Sequence, residues 1–136
     1  MAFFKWEDKY LVGFETIDNQ HKHLVDILND LYDGLVNGTT NDIIETTLDS
    51  LVDYTIYHFN GEETLFKKNN YPDYLAHKKM HDDLTGQVLE IQKNVKSKSA
   101  TLTYEMMDFL RDWLMQHTLS SDQDYAEYFR NNNITI

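Results

Sequence analysis

Apolar residues recur along this chain at alternating steps of three and four, the spacing of one face of an α-helix. Four such stripes are readable. His21, Leu24, Leu28, Leu31 and Leu35 form the first, behind a candidate cap at Asp18. Ile44, Leu48, Leu51, Thr55, His58, Glu62 and Leu65 form the second; Tyr74, His77, His81, Leu84, Val88, Ile91 and Val95 form the third. Met106, Leu110, Trp113 and His117 form the fourth. Between them, Gly38-Thr39-Thr40-Asn41 ends the first stripe and offers capping oxygens to the second. Asn69-Asn70-Tyr71-Pro72 is the clearest break, with Pro72 suited to a first helical position, and residues 97–100 link the last two stripes. The pattern predicts helices over roughly 18–37, 41–67, 72–96 and 102–119. Residues 1–17 carry no helical period and read as an arm packed by Phe3, Phe4, Trp6, Tyr10 and Phe14. Residues 122–130 read as a short last helix anchored by Tyr125 and Phe129.

Four amphipathic helices joined by short loops bury their stripes most simply as an up-down-up-down antiparallel four-helix bundle. The expected fold is therefore all-α: one domain over residues 1–136, with an extended N-terminal arm and a short C-terminal helix. Composition agrees. One Pro and five Gly in 136 residues leave few interruptions, which favours long helices over a turn-rich β fold. Twelve Lys and Arg face 23 Asp and Glu, a net charge of −11, and no basic patch offsets it. Such a surface repels phosphate backbones and anionic lipid, so neither nucleic acid nor membrane is an expected partner. No apolar run reaches membrane-spanning length, and the first residues lack the basic and apolar stretches of a secretion signal, so the expected location is the cytoplasm. The absence of cysteine removes disulfides, thiolate metal sites and cysteine nucleophiles together, leaving the six histidines as the main carriers of chemistry.

Five of those histidines, His21, His58, His77, His81 and His117, lie on apolar stripes, and Glu62 follows His58 by one turn. A single histidine on an apolar face is most often a hydrogen-bonded core residue. Burying five is costly unless they satisfy one another or bind metal. Their placement is concerted: early in the first helix, late in the second, early in the third, late in the fourth. In an antiparallel bundle those positions meet at one end. Neutral imidazoles with carboxylates and no sulfur suit iron, manganese or zinc, and five are too many for one ion that keeps an open position, so two ions are implied. A two-metal site needs bridging carboxylates, for which Glu62 is placed. The second bridge should come from beyond His117, where geometry leaves two candidates. Asp124 stays on the face of His117 in an ideal helix, whereas Asp122 swings away unless a break or π-bulge near Ser120-Ser121 returns it. His23 points away from the seam and is expected at the surface.

The runs Ile17-Asp18-Asn19-Gln20-His21-Lys22, His58-Phe59-Asn60-Gly61-Glu62-Glu63, His77-Lys78-Lys79-Met80-His81 and His117-Thr118-Leu119-Ser120-Ser121-Asp122-Gln123-Asp124-Tyr125 resemble, in order and nearly end to end, the pattern of bacterial single-domain members of the hemerythrin family. The resemblance implies a non-haem di-iron centre bridged by oxide or hydroxide. His77, His81 and His117 would hold one iron, His21 and His58 the other, with Glu62 and Asp122 bridging both. It also implies reversible O2 binding at the open position of the two-histidine iron, for storage, transport or sensing. Leu24, Phe59, Trp113 and Leu119 match the lining of the family's O2 pocket. Phe66 stands where Met is frequent and Gly61 interrupts the second helix; both are outside the ligand positions.

The competing reading is a di-iron enzyme, either an oxidase or a reductase of peroxide or nitric oxide. Ferritin-like oxidases build their sites from Glu-x-x-His pairs, and this chain contains none. The expectation is accordingly a monomeric O2-binding protein without catalytic residues.

Overall fold

Five α-helices follow a short 3-10 turn at Asp8–Tyr10 in the computed structural model, which describes residues 3–98, 101–117 and 121–135. They are α1 (Glu15–Val36), α2 (Asn41–Lys68), α3 (Tyr74–Lys96), α4 (Tyr104–Gln116) and α5 (Asp122–Asn131). No strand occurs among the described residues. α1 packs on α2 and α4, and α2 packs on α3; the short connections after α1 and α2 make α1, α2 and α3 successively antiparallel. No helix among the described residues is long and apolar enough to cross a membrane.

The ends of the helices depart from the sequence expectation in instructive ways. α1 begins at Glu15, not near residue 18, so Asp18 is not its cap. The Asp18 carboxylate instead accepts the backbone N–H groups of Val12 (2.8 Å) and Gly13 (3.3 Å), tying the arm to the helix. α1 ends through Gly38, whose φ of 64° lies in the left-handed region, with the Thr39 N–H closing back on the Gly34 carbonyl. Neither threonine of that turn caps α2: Thr39 Oγ1 donates to Gly34 O, and the Thr40 side chain makes no capping bond. Pro72 lies in the turn before α3, two residues ahead of its start. Thr103 does cap α4, accepting the Met106 N–H at 3.1 Å.

The helices bury a main core in which Leu28, Leu31, Leu48, Leu84, Val88, Met107 and Leu110 meet; on α4 the buried apolar positions are Met107, Leu110 and Leu114, and the expected Met106 and Trp113 are half-buried. Each buried side chain of this core contributes about 1.5–3 kcal/mol by leaving water. A second, more aromatic cluster closes one end of the bundle, built from Val12, Ile17, Phe66, Tyr71, Tyr125, Ala126 and Phe129. The arm and α5 are clamped over this end. Arg130 donates to Val12 O (2.7 Å) and Gln123 to Leu11 O (3.0 Å). On the opposite flank of the arm, Asn29 pairs with both backbone groups of Phe4, at 2.7 and 2.9 Å. The polar residues of the seams lie between the two apolar clusters.

Candidate metal centre

His21 and Asp122 meet from α1 and α5, His58 and Glu62 stand one turn apart on α2, His77 and His81 one turn apart on α3, and His117 follows the last residue of α4. All seven are buried. They form two groups of four whose ligand atoms lie within 4.8 Å of one another: Glu62 with His77, His81 and His117, and Glu62 with His21, His58 and Asp122. Glu62 is common to both. Asp122 divides its oxygens, with Oδ1 2.8 Å from His117 Nε2 and 3.3 Å from His77 Nε2, and Oδ2 2.8 Å from His21 Nε2. Glu62 Oε1 is 3.2 Å from His58 Nε2 and 3.3 Å from His81 Nε2.

These separations are short, but none has the alignment of a hydrogen bond. The Nε2 atoms of all five histidines and all four oxygens of Glu62 and Asp122 are buried without a hydrogen-bond partner. Buried polar groups in folded proteins are paired almost without exception, because each orphan costs about 1–3 kcal/mol. Nine orphans facing one space are the donor set of a cation site, and nitrogen with carboxylate oxygen suits first-row transition ions. The residues therefore fit a buried metal centre.

The far side of two imidazoles is held as metal-binding histidines require. His58 Nδ1 lies 2.6 Å from Gln20 Oε1, and His81 Nδ1 lies 3.0 Å from Glu63 Oε2. With Nδ1–H donating outward in each, the Nε2 lone pair points into the site. Sequence reasoning did not find Gln20 or Glu63. The signal was slight: each adjoins a seam residue, but its partner is 38 or 18 positions away.

Charge within the chain concentrates on the same space, where a proton on His117 occupies the place a cation would take. Burial pushes the Glu62 and Asp122 carboxyls up, and Glu62 adds to the push on Asp122. The surrounding imidazoles outweigh this and hold both below the ordinary carboxylate range. Burial drives His117 down, but the Asp122 and Glu62 carboxylates beside it lift it to about 10. His58, where burial dominates, is lowered. Tyr125 is also buried, with its hydroxyl unpartnered; burial and the nearby Glu62 and Asp122 charges raise it well above the usual phenol range.

Asp122 faces the site while Asp124 is exposed. His117 and Ser121 both lie in π-helical turns, whose wider winding carries a residue five positions on back toward the same face. His23 is exposed and packs on the Tyr54 ring. Of the expected pocket residues, Leu24 and Phe59 are buried and Trp113 is half-buried, whereas Leu119 lies outside the described residues. Leu24, Phe59 and Trp113 line one apolar cavity of about 20 Å³ with Leu28, Thr55, Leu84 and Leu110. Phe59 stacks flat on His81 at 3.8 Å and Trp113 on His117 at 4.6 Å. Phe66, expected to stay clear of the ligand positions, instead sets its ring edge against His77 at 4.8 Å. Gly61 is exposed on α2, and a Cβ added there would meet nothing within 4 Å.

Comparison with known proteins points the same way. Residues 12–129 match the model of the family described as "Hemerythrin HHE cation binding domain". The chain is 39% identical over 129 residues to a bacteriohemerythrin of Methylococcus capsulatus, covering 93% of this chain and 96% of that one. It is 34% identical over 130 residues to a bacteriohemerythrin of Pseudomonas aeruginosa, covering 96% and 84%. A wild-type hemerythrin crystal structure superposes with a TM-score of 0.88 at 34% identity, over 93% of this chain and 97% of that one.

Proposed function

The chain belongs to the hemerythrin family, and from that membership and the layout of its buried ligands we propose that it binds O2 reversibly at a centre of two iron ions. The observation that carries this reading is the unequal division of histidines. One group offers three imidazoles and the other two, with Glu62 in both and Asp122 turning one oxygen toward each side. His77, His81 and His117 would hold one ion, His21 and His58 the other, and Glu62 and Asp122 would span them. Two ferrous ions so held would supply two electrons and one open coordination position, on the two-histidine side.

The chain's own part is to exclude water and withhold protons. Leu24 lies one turn after His21 and Thr55 about one turn before His58, while Phe59 and Trp113 stack on His81 and His117, so the apolar cavity adjoins ligands of both groups. At about 20 Å³ it is little larger than the ~10–15 Å³ that a single water needs. Among the described residues that line it, Thr55 and the Trp113 indole are the only polar groups, and none is an acid that would deliver a proton. The rings of Phe59, Trp113 and Phe66 fix the planes of His81, His117 and His77 respectively. This leaves O2 as partner and storage, transport or sensing as role, without catalysis.

The test is optical. The purified protein, reconstituted anaerobically with ferrous iron, should develop a visible charge-transfer band on exposure to air and lose it when O2 is removed, over repeated cycles. Oxidation straight to a stable ferric product would refute reversible binding. Sustained consumption of peroxide or nitric oxide would make it an enzyme.

A further inference from the structure

We propose that Glu63 and Gln20 are positioning residues that make the two metal positions unequal, an anionic acceptor strengthening His81 on one side and a neutral one leaving His58 weaker on the other. The inference rests on reading the seven buried residues as a two-metal centre. His81 belongs to the three-histidine group and His58 to the two-histidine group. Both imidazoles turn Nδ1 outward, but to different chemistry. The Glu63 carboxylate receives His81 Nδ1–H at 3.0 Å, and the Gln20 amide oxygen receives His58 Nδ1–H at 2.6 Å.

A carboxylate that accepts the Nδ1 proton draws the ring toward imidazolate, so Nε2 becomes a stronger donor; an amide oxygen fixes the same tautomer with far less charge transfer. Glu63 can act this way because its side chain is only 12% exposed, where its charge is weakly screened. It is also aimed. Lys78 Nζ lies 3.9 Å from Glu63 Oε1 while held at 2.7 Å by Asp82, which leaves Glu63 Oε2 for His81. His21 Nδ1, on the two-histidine side, is buried without a hydrogen-bond partner among the described residues. Among the described residues, neither Nδ1 of that side therefore meets an anionic partner. The three-histidine position fills first and holds its ion more tightly by more than its extra ligand accounts for.

The experiment uses the full chain and zinc alone, titrated against a chelating dye, with histidine ring 15N–1H spectra of the loaded protein. Glu63→Gln keeps an acceptor of the same shape and removes the charge. It should weaken the tighter zinc step about 10-fold, leave the other step unchanged and move the His81 Nδ1–H resonance upfield. Gln20→Glu should strengthen the weaker step about 10-fold and move the His58 resonance downfield. Two zinc steps that neither variant shifts, or that each variant shifts equally, would overturn the inference while leaving the metal centre standing. A wild-type chain that bound no zinc and no iron would overturn both.

Discussion

Glu62 and His77 differ in one respect that metal counting can read. Glu62 belongs to both ligand groups and His77 to only one. Replacing each by glutamine keeps the size of the side chain close and removes a strong donor. Loss of an outer-sphere partner typically costs 10–100-fold in metal affinity, so loss of a direct ligand should cost at least about 100-fold at each ion it touches. Glu62→Gln should thus weaken both ions and His77→Gln one. After anaerobic loading with ferrous iron and desalting, elemental analysis should give about two ions per chain for the wild type, roughly one for His77→Gln and fewer than one for Glu62→Gln. His23→Gln, at an exposed residue outside both groups, should keep about two. Thermal melts give a second measure. A 100-fold loss of affinity removes about 2.7 kcal/mol of metal-linked stability, or roughly 10 °C of Tm for a domain of this size. The shift should appear once for His77→Gln and about twice for Glu62→Gln, in the presence of iron only. Equal iron contents in all three variants would refute the assignment, and equal losses in the Glu62 and His77 variants would refute the division into two groups.

Three further substitutions probe the scaffold. Phe59→Ala removes a buried ring stacked on His81 and enlarges the adjoining cavity, so urea unfolding should show a loss of about 3–5 kcal/mol; a loss below about 1 kcal/mol would contradict the packing described. Asp18→Asn keeps one acceptor but removes the charge that holds two backbone N–H groups, costing about 1–2 kcal/mol, and hydrogen exchange should quicken at Val12 and Gly13 ahead of the bundle interior. Gly61→Ala sits on an exposed face of α2 where an added Cβ meets nothing within 4 Å, so it should raise stability by about 0.5–1 kcal/mol with iron content unchanged; destabilisation would mean the glycine serves a contact not described.

The seams show how much of the site is legible in the sequence. A period of 3.6 is local, so the placement of His21, His58, His77 and His81 on buried stripes followed from spacing alone, and short connections then set the ends at which they meet. Other features depended on backbone that spacing cannot reach. The arm offered Asp18 two N–H groups, which turned a supposed helix cap into a clamp. Left-handed residues at Gly38 and Asn70 ended α1 and α2 without the threonine caps or the proline start that composition suggested.

The second carboxylate marks the boundary most clearly. Straight α-helix geometry favours Asp124, and the family resemblance favours Asp122; the π-helical turns around His117 and Ser121 are where the choice is physically made. Such a turn depends on which carbonyl each N–H finds, and the helix that carries Asp122 is held against the arm through Arg130 and Gln123. Gln20 and Glu63 were invisible for the same reason, since their meaning lies in imidazoles carried by other helices. Helical periodicity along the chain thus settled which faces of the helices turn inward, and packing between elements settled which residues at the edges of those faces, such as Phe66, Met107 and Leu114, are buried and which atoms face one another.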